Sequence, residues 1–305
     1  MNRRKFSRNL VGAALGTSTL TPAPKLAEAM GADTESQPGV RFKLSVMLWT
    51  VFTKLPFEER LEKVAQAGYK NVELVGEYAH WSEDDFKRAN SKRKELGITF
   101  DTTAGLKHSV GDPSEREALL ADVRHELPVM DKIDCPAVII MSGDVVPRMP
   151  RKMQHQSCIE GLKRAAQLVE GKKINGQPVR LLLENIDPEE NPKYYLTSVA
   201  EGFEIVRAVD HPQVQLLYDF FHEQIAEGNL IEKLEKNIQY TGLVHVADVP
   251  GRHAPGTGEI NYGNIYRKLA QLKYDRIVAM EFIPLGDAVA ELSHAREVAL
   301  KLAHV

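Results

Sequence analysis

The chain has 305 residues, 43% of them hydrophobic, with a formal net charge of -3. That is enough apolar material for one large core, and a barrel of about 250 residues fits within a single domain of this length. The acidic balance argues against a surface built to hold a phosphate backbone. No stretch after the amino-terminal segment is long and apolar enough to span a bilayer.

Residues 1–29 read as an export signal. Arg3 and Arg4 open a short basic stretch, a modest apolar run follows over 10–20, and Ala27-Glu28-Ala29 supplies a small-residue cleavage site. Arg3-Arg4-Lys5-Phe6 has the form of a twin-arginine signal, which predicts a periplasmic mature protein. A disordered basic tail is the alternative. No cysteine lies near the cleavage site, so no lipid anchor is expected. Residues 30–40 read as a linker and 41–305 as the catalytic domain. Cys135 and Cys158 are the only cysteines. They are expected to be buried and unpaired, with a disulfide between them as the alternative.

From residue 41 the pattern alternates. Short apolar, β-branched runs occur at 43–49, 71–75, 98–103, 137–141, 179–186, 214–221, 243–249 and 276–283. Near-continuous apolar runs suit parallel strands covered on both faces. Helical spacing fills the intervals at 57–67, 84–96, 114–132, 153–172, 197–209, 228–237, 262–272 and 287–303, and glycines follow the first two. Eight βα units predict an α/β fold, a (β/α)₈ TIM barrel. An open doubly wound sheet is the competitor, but no glycine-rich fingerprint follows the first strand.

In such a barrel chemistry sits at the carboxyl ends of the strands. Four successive strands carry a metal-ligand type there: Glu184, Asp219, His245 and Glu281. An isolated ionised carboxylate behind three leucines, as at Glu184, costs several kcal/mol to bury, so something positive must offset it. For any single carboxylate a buried ion pair with Lys or Arg serves as well. Four ligand types at adjacent strand ends point to one divalent metal ion. The oxygen-rich set suits Mn²⁺, Mg²⁺ or Co²⁺ and leaves Zn²⁺ open. His222 and Arg252 read as substrate-binding residues. A capping or exposed histidine and a surface salt bridge are the respective alternatives. Residues 249–262, rich in Gly and Pro, read as a shaped lid. Glu73 divides evenly between structural and functional roles. Trp49 and Trp81 read as core packing, with an apolar wall over the site as the alternative, while His108 and His253 read as surface.

These residues carry a resemblance. His245-Val246-Ala247-Asp248-Val249-Pro250-Gly251-Arg252-His253, followed by Gly258-Glu259-Ile260-Asn261-Tyr262, resembles the hydroxypyruvate isomerase family of xylose-isomerase-like barrels. So do Glu184-Asn185-Ile186 with Asn191-Pro192-Lys193-Tyr194-Tyr195-Leu196, Tyr218-Asp219-Phe220-Phe221-His222-Glu223-Gln224, and Glu281-Phe282-Ile283-Pro284. The resemblance covers most of 41–305 and is specific in the second half. It implies metal ligation by Glu184, Asp219, His245 and Glu281, with Glu184 and Glu281 also catalytic as acid and base. It implies interconversion of a small hydroxy-keto acid or sugar with its aldehyde or ketone isomer through an enediolate. The sequence departs from the pattern at His245, where hydroxypyruvate isomerases carry Gln and the related ketose 3-epimerases carry His. A 3-epimerase, a keto-inositol dehydratase and an exported non-catalytic sugar-binding protein are the rival readings. Endonuclease IV shares the barrel, but it needs an Asp-x-His past His245 and a histidine where Met141-Ser142-Gly143 stands, so neither a nuclease nor a nucleic-acid partner is expected.

Overall fold

The computed structural model describes residues 40–303. The predicted signal segment 1–29 lies wholly outside the described residues, and the linker 30–40 lies outside them except for Val40. Eight parallel strands close into a barrel: β1 Lys43–Met47, β2 Asn71–Leu74, β3 Thr99–Thr103, β4 Ala137–Met141, β5 Arg180–Glu184, β6 Val214–Asp219, β7 Thr241–Val246 and β8 Ile277–Met280. Each strand pairs with its sequence neighbours, and β1 pairs with β8 to close the ring. Helices cover the outside, and a small antiparallel hairpin, Lys173–Ile174 with Gln177–Pro178, precedes β5.

Alternation along the strands places the site. Side chains of successive strand residues point to opposite faces. Leu182, Leu217, Leu243 and Ala279 pack together inside the barrel, while Leu181, Leu183, Leu216, Val244 and Val278 join the larger core beneath the helices. Two residues beyond each inward residue comes Glu184, Asp219, His245 or Glu281. All four therefore continue the inward face at the carboxyl end. Asp219 and His245 are direct register partners across β6 and β7.

Several strands end earlier than the sequence expectation, those expected over 243–249 and 276–283 at Val246 and Met280, and two further differences bear on the site. Residues 220–221 are helical, not strand: a helix Phe220–Ala226 starts at once and is followed by Leu230–Asn237. The cause is Asp219, whose carboxylate accepts from the backbone N–H groups of Phe221 and His222 as an N-cap. The first predicted strand stops at Met47, and Trp49 lies in a 3₁₀ turn, Leu48–Thr50. Cys135 and Cys158 are both buried and free. No helix among the described residues is long and apolar enough to cross a membrane.

Candidate active site

The four inward residues meet. One ligand atom from each of Glu184, Asp219, His245 and Glu281 lies within 4.8 Å of the others, and all four residues are buried. His245 Nδ1 is 2.7 Å from Glu281 Oε2, 3.6 Å from Glu184 Oε1 and 3.9 Å from Asp219 Oδ2. Bonds of about 2.1 Å put ligand atoms about 3 Å apart at right angles and about 4.2 Å apart across an ion, so these spacings fit a single cation. Buried polar atoms are nearly always hydrogen-bonded, yet Asp219 Oδ2, His245 Nδ1 and Glu281 Oε2 have no hydrogen-bond partner, the last having only an ion-pair contact with Arg252. Even the 2.7 Å contact lies outside hydrogen-bond geometry. The donor set and its unpaired atoms fit a divalent metal.

The electrostatics agree. Glu184, Glu190, Asp219 and Glu281 surround Arg252, the one permanent cation lining the pocket among the described residues. Burial lifts the carboxyl of Asp219 above its usual range, with His222 and Arg252 pulling the other way. Burial also works against an ionised Glu281, but Arg252 and His245 outweigh it and hold that carboxyl well below the ordinary range. Burial would lower His245, but Glu281 and Glu73 more than offset this and hold its imidazole well above the usual value.

His222 lies in the first turn after Asp219 and is buried. Its Nδ1 is 2.5 Å from Asp187 Oδ2, and its Nε2 is 3.3 Å from Arg252 Nη1. Burial disfavours the charged ring, but Asp219 and Asp187 push its pKa up to about 9. Asp187 is held in turn by the backbone N–H groups of Glu189 and Glu190. The loop after β5 is fixed by Tyr194, whose hydroxyl accepts from Ser142 N and donates to the carbonyl of Glu184.

Arg252 is buried, not on the surface. Its Nη2 is 2.8 Å from Glu281 Oε2, and its Nη1 donates to Glu190 Oε2 at 2.8 Å. The guanidinium lies between the rings of Phe221 and Trp49, 4.8 and 5.3 Å from their centroids. Its backbone is left-handed at φ 60°, a conformation costing about 1–2 kcal/mol for a non-glycine residue. Two hydrogen bonds enforce it, Asp248 N to His253 O and Ile283 N to Arg252 O. Asp248, fully buried, organises the loop by accepting from Val249, Gly256 and Ile260 N–H groups.

Three assignments are refined. Trp49 is 40% exposed, lines the pocket and donates Nε1 to Glu281 Oε1 at 2.7 Å, so it is not a core residue. Trp81 does pack in an aromatic cluster with Phe57 and Phe86. Glu73 faces His245, with 2.9 Å between Oε2 and Nε2. Asp187 and Glu190 were missed, because an irregular loop carries them and no periodicity marks them. His108 faces Asp122 in a half-exposed loop, and His253 contacts the Ile283 carbonyl.

The cavity over the cluster holds about 310 Å³. The β1–β4 side is apolar, with Met47, Val75, Ile139 and Met141. The opposite side carries Glu184, His222, Arg252 and Glu281.

The model of the Xylose isomerase-like TIM barrel family matches residues 61–298. A 2-oxo-tetronate isomerase of Haemophilus influenzae is 31% identical, covering 82% of this chain and 96% of that protein. The hydroxypyruvate isomerase of Escherichia coli is 26% identical over 79% of this chain and 93% of its own. A crystal structure of an AP endonuclease, family 2, from Brucella melitensis matches with a TM-score of 0.74 at 25% identity, covering 84% of this chain and 98% of that one. The chain belongs to the xylose isomerase-like TIM barrel family, and with hydroxypyruvate and 2-oxo-tetronate isomerases as its relatives it is an isomerase.

Proposed function

We propose that the protein is a metal-dependent isomerase of a small hydroxy-keto acid or short sugar, working by proton transfer between adjacent carbons through an enediolate. The observation that carries this is the meeting of four buried ligand atoms, three of them without hydrogen-bond partners. Glu184, Asp219, His245 and Glu281 would hold the cation, with Mn²⁺, Mg²⁺ or Co²⁺ best suited to an oxygen-rich set and Zn²⁺ as the alternative. When bound, a divalent ion supplies Lewis-acid polarisation of a carbonyl and its neighbouring hydroxyl.

The protein's own groups do the rest. One of Glu184 and Glu281 takes the proton from the hydroxyl-bearing carbon, and the other or the same residue returns it to the former carbonyl carbon. Trp49 donates to Glu281 Oε1, while Oε2 faces His245 and Arg252. His222, held by Asp187, and Arg252, held between two rings, orient substrate oxygens. Arg252 gives an acid's carboxylate its cationic partner. A small polar substrate, not a nucleic acid, suits a wall so rich in carboxylates.

A ketose 3-epimerase is the second reading. It is favoured by the imidazole of His245 in the ligand set together with His222 and Arg252. A panel of hydroxypyruvate, 2-oxo-tetronate and free ketoses, assayed with added divalent metal, separates the two. Turnover confined to the ketoses would overturn the hydroxy-keto acid assignment. The amino-terminal sequence supports a further proposal, that the mature chain begins after residue 29 and is periplasmic.

A further inference from the structure

We propose that Glu73 is the positioning residue of this metal centre, holding the far nitrogen of His245 and so setting how tightly the four-residue site binds a divalent cation. The inference rests on the metal-site reading above. Glu73 and His245 are 172 positions apart in sequence and sit on non-adjacent strands, β2 and β7. Their side chains are 1% and 0% exposed, and 2.9 Å separates Glu73 Oε2 from His245 Nε2. Glu73 does not line the substrate pocket, so it acts through His245 and not on the reacting atoms.

The two ring nitrogens face different partners. Nε2 faces Glu73, while Nδ1 faces Glu281, Glu184 and Asp219. A neutral imidazole carries one N–H. An ionised carboxylate can only accept, so Glu73 claims that N–H at Nε2 and leaves the lone pair on Nδ1. Nδ1 has no hydrogen-bond partner of its own, as expected of a nitrogen set aside for a metal. Carboxylate, imidazole and metal in a row fix the ring's tautomer and orientation and raise the basicity of the donor nitrogen. A purely structural role would make Glu73 a buried ion-pair partner whose loss affects folding. A positioning role makes its loss appear in metal affinity.

The test uses the full chain, stripped of metal, titrated with Mn²⁺ while free Mn²⁺ is followed by electron paramagnetic resonance. The melting temperature of each metal-free protein is measured alongside. Glu73→Met keeps the length but offers no acceptor, and Glu73→Gln keeps an acceptor oxygen without charge. Loss of such a partner typically weakens metal binding about 10–100-fold. Glu73→Met should show that loss in the folded metal-free chain, with a lowered melting temperature because the buried Nε2–H of His245 is left without its acceptor. Glu73→Gln should recover part of the affinity. An affinity for Mn²⁺ in Glu73→Met within about threefold of wild type would overturn the inference, as would a loss that Glu73→Gln does not reduce. If Glu73→Met does not fold, Glu73→Asp decides: the charge remains but draws back by one methylene, and unchanged Mn²⁺ affinity in that folded variant overturns the proposal. Asp219→Ala separates the two layers. Wild-type binding lost in Asp219→Ala but unchanged in Glu73→Met removes only the role of Glu73, whereas a wild-type chain that binds no Mn²⁺ removes the metal site and this inference with it.

Discussion

Trp49 donates its indole N–H to Glu281 Oε1 across 2.7 Å, joining the turn after the first strand to the end of the last. One carboxylate oxygen is thereby fixed and the other is left facing His245 and Arg252. A hydrogen bond to a charged group contributes about 1.5–3 kcal/mol. Trp49→Phe should therefore lower kcat about 10–100-fold, since each 1.36 kcal/mol is tenfold in rate. Because Trp49 is partly exposed, the fold should survive, which circular dichroism checks. Unchanged kcat would show that the indole only walls the pocket.

Glu281→Gln and Glu184→Gln test the proton-transfer pair. The amide keeps the shape and one coordinating oxygen but cannot take up the proton. A general base contributes about 10²–10⁴-fold in rate. Each variant should lose at least 100-fold in kcat with metal content retained. More than about a tenth of wild-type turnover in either would remove that residue from the role.

Arg252 tests the substrate class. Its guanidinium already faces Glu281 and Glu190, so a substrate carboxylate would enter a shared cationic site. Losing a buried charge partner costs on the order of 2–4 kcal/mol. Arg252→Ala should lower kcat/KM for hydroxypyruvate about 30–1000-fold, and far less for an uncharged ketose. Equal losses on both would mean that Arg252 holds hydroxyls or shapes the loop, and the 3-epimerase reading would then lead.

Export is tested by replacing Arg3 and Arg4 with lysine. The variant precursor should remain in the cytoplasm at full length, seen by fractionation and mass spectrometry. Normal appearance of a shortened periplasmic form would contradict the twin-arginine proposal.

The meeting of the four side chains was legible in the sequence because strand alternation is simple physics. Leu182 and Glu184, Leu217 and Asp219, Leu243 and His245, Ala279 and Glu281 share an inward parity, so a polar residue two places beyond an apolar one falls at the barrel mouth. The supporting residues carry no such signal. Asp187 and Glu190 belong to an irregular loop, where contacts are set by the hydroxyl of Tyr194 and by turn hydrogen bonds and not by a repeat. Phe220-Phe221 read as strand because aromatic residues favour strands. The capping carboxylate of Asp219 overrides that preference and turns the chain into a helix that carries His222 back to the site. Core packing and a wall over the site are both open to Trp49 from the sequence, and what decides for the wall is a partner 232 residues away.

The most direct test of the central claim is metal content measured together with turnover. Protein purified without chelator should carry about one divalent ion per chain when the site is full, and hydroxypyruvate turnover should fall with chelation and return in proportion to metal restored. Asp219→Ala should lose both. Full turnover by the metal-free protein, or full metal retention in Asp219→Ala, would contradict a metal-dependent isomerase built on these four residues.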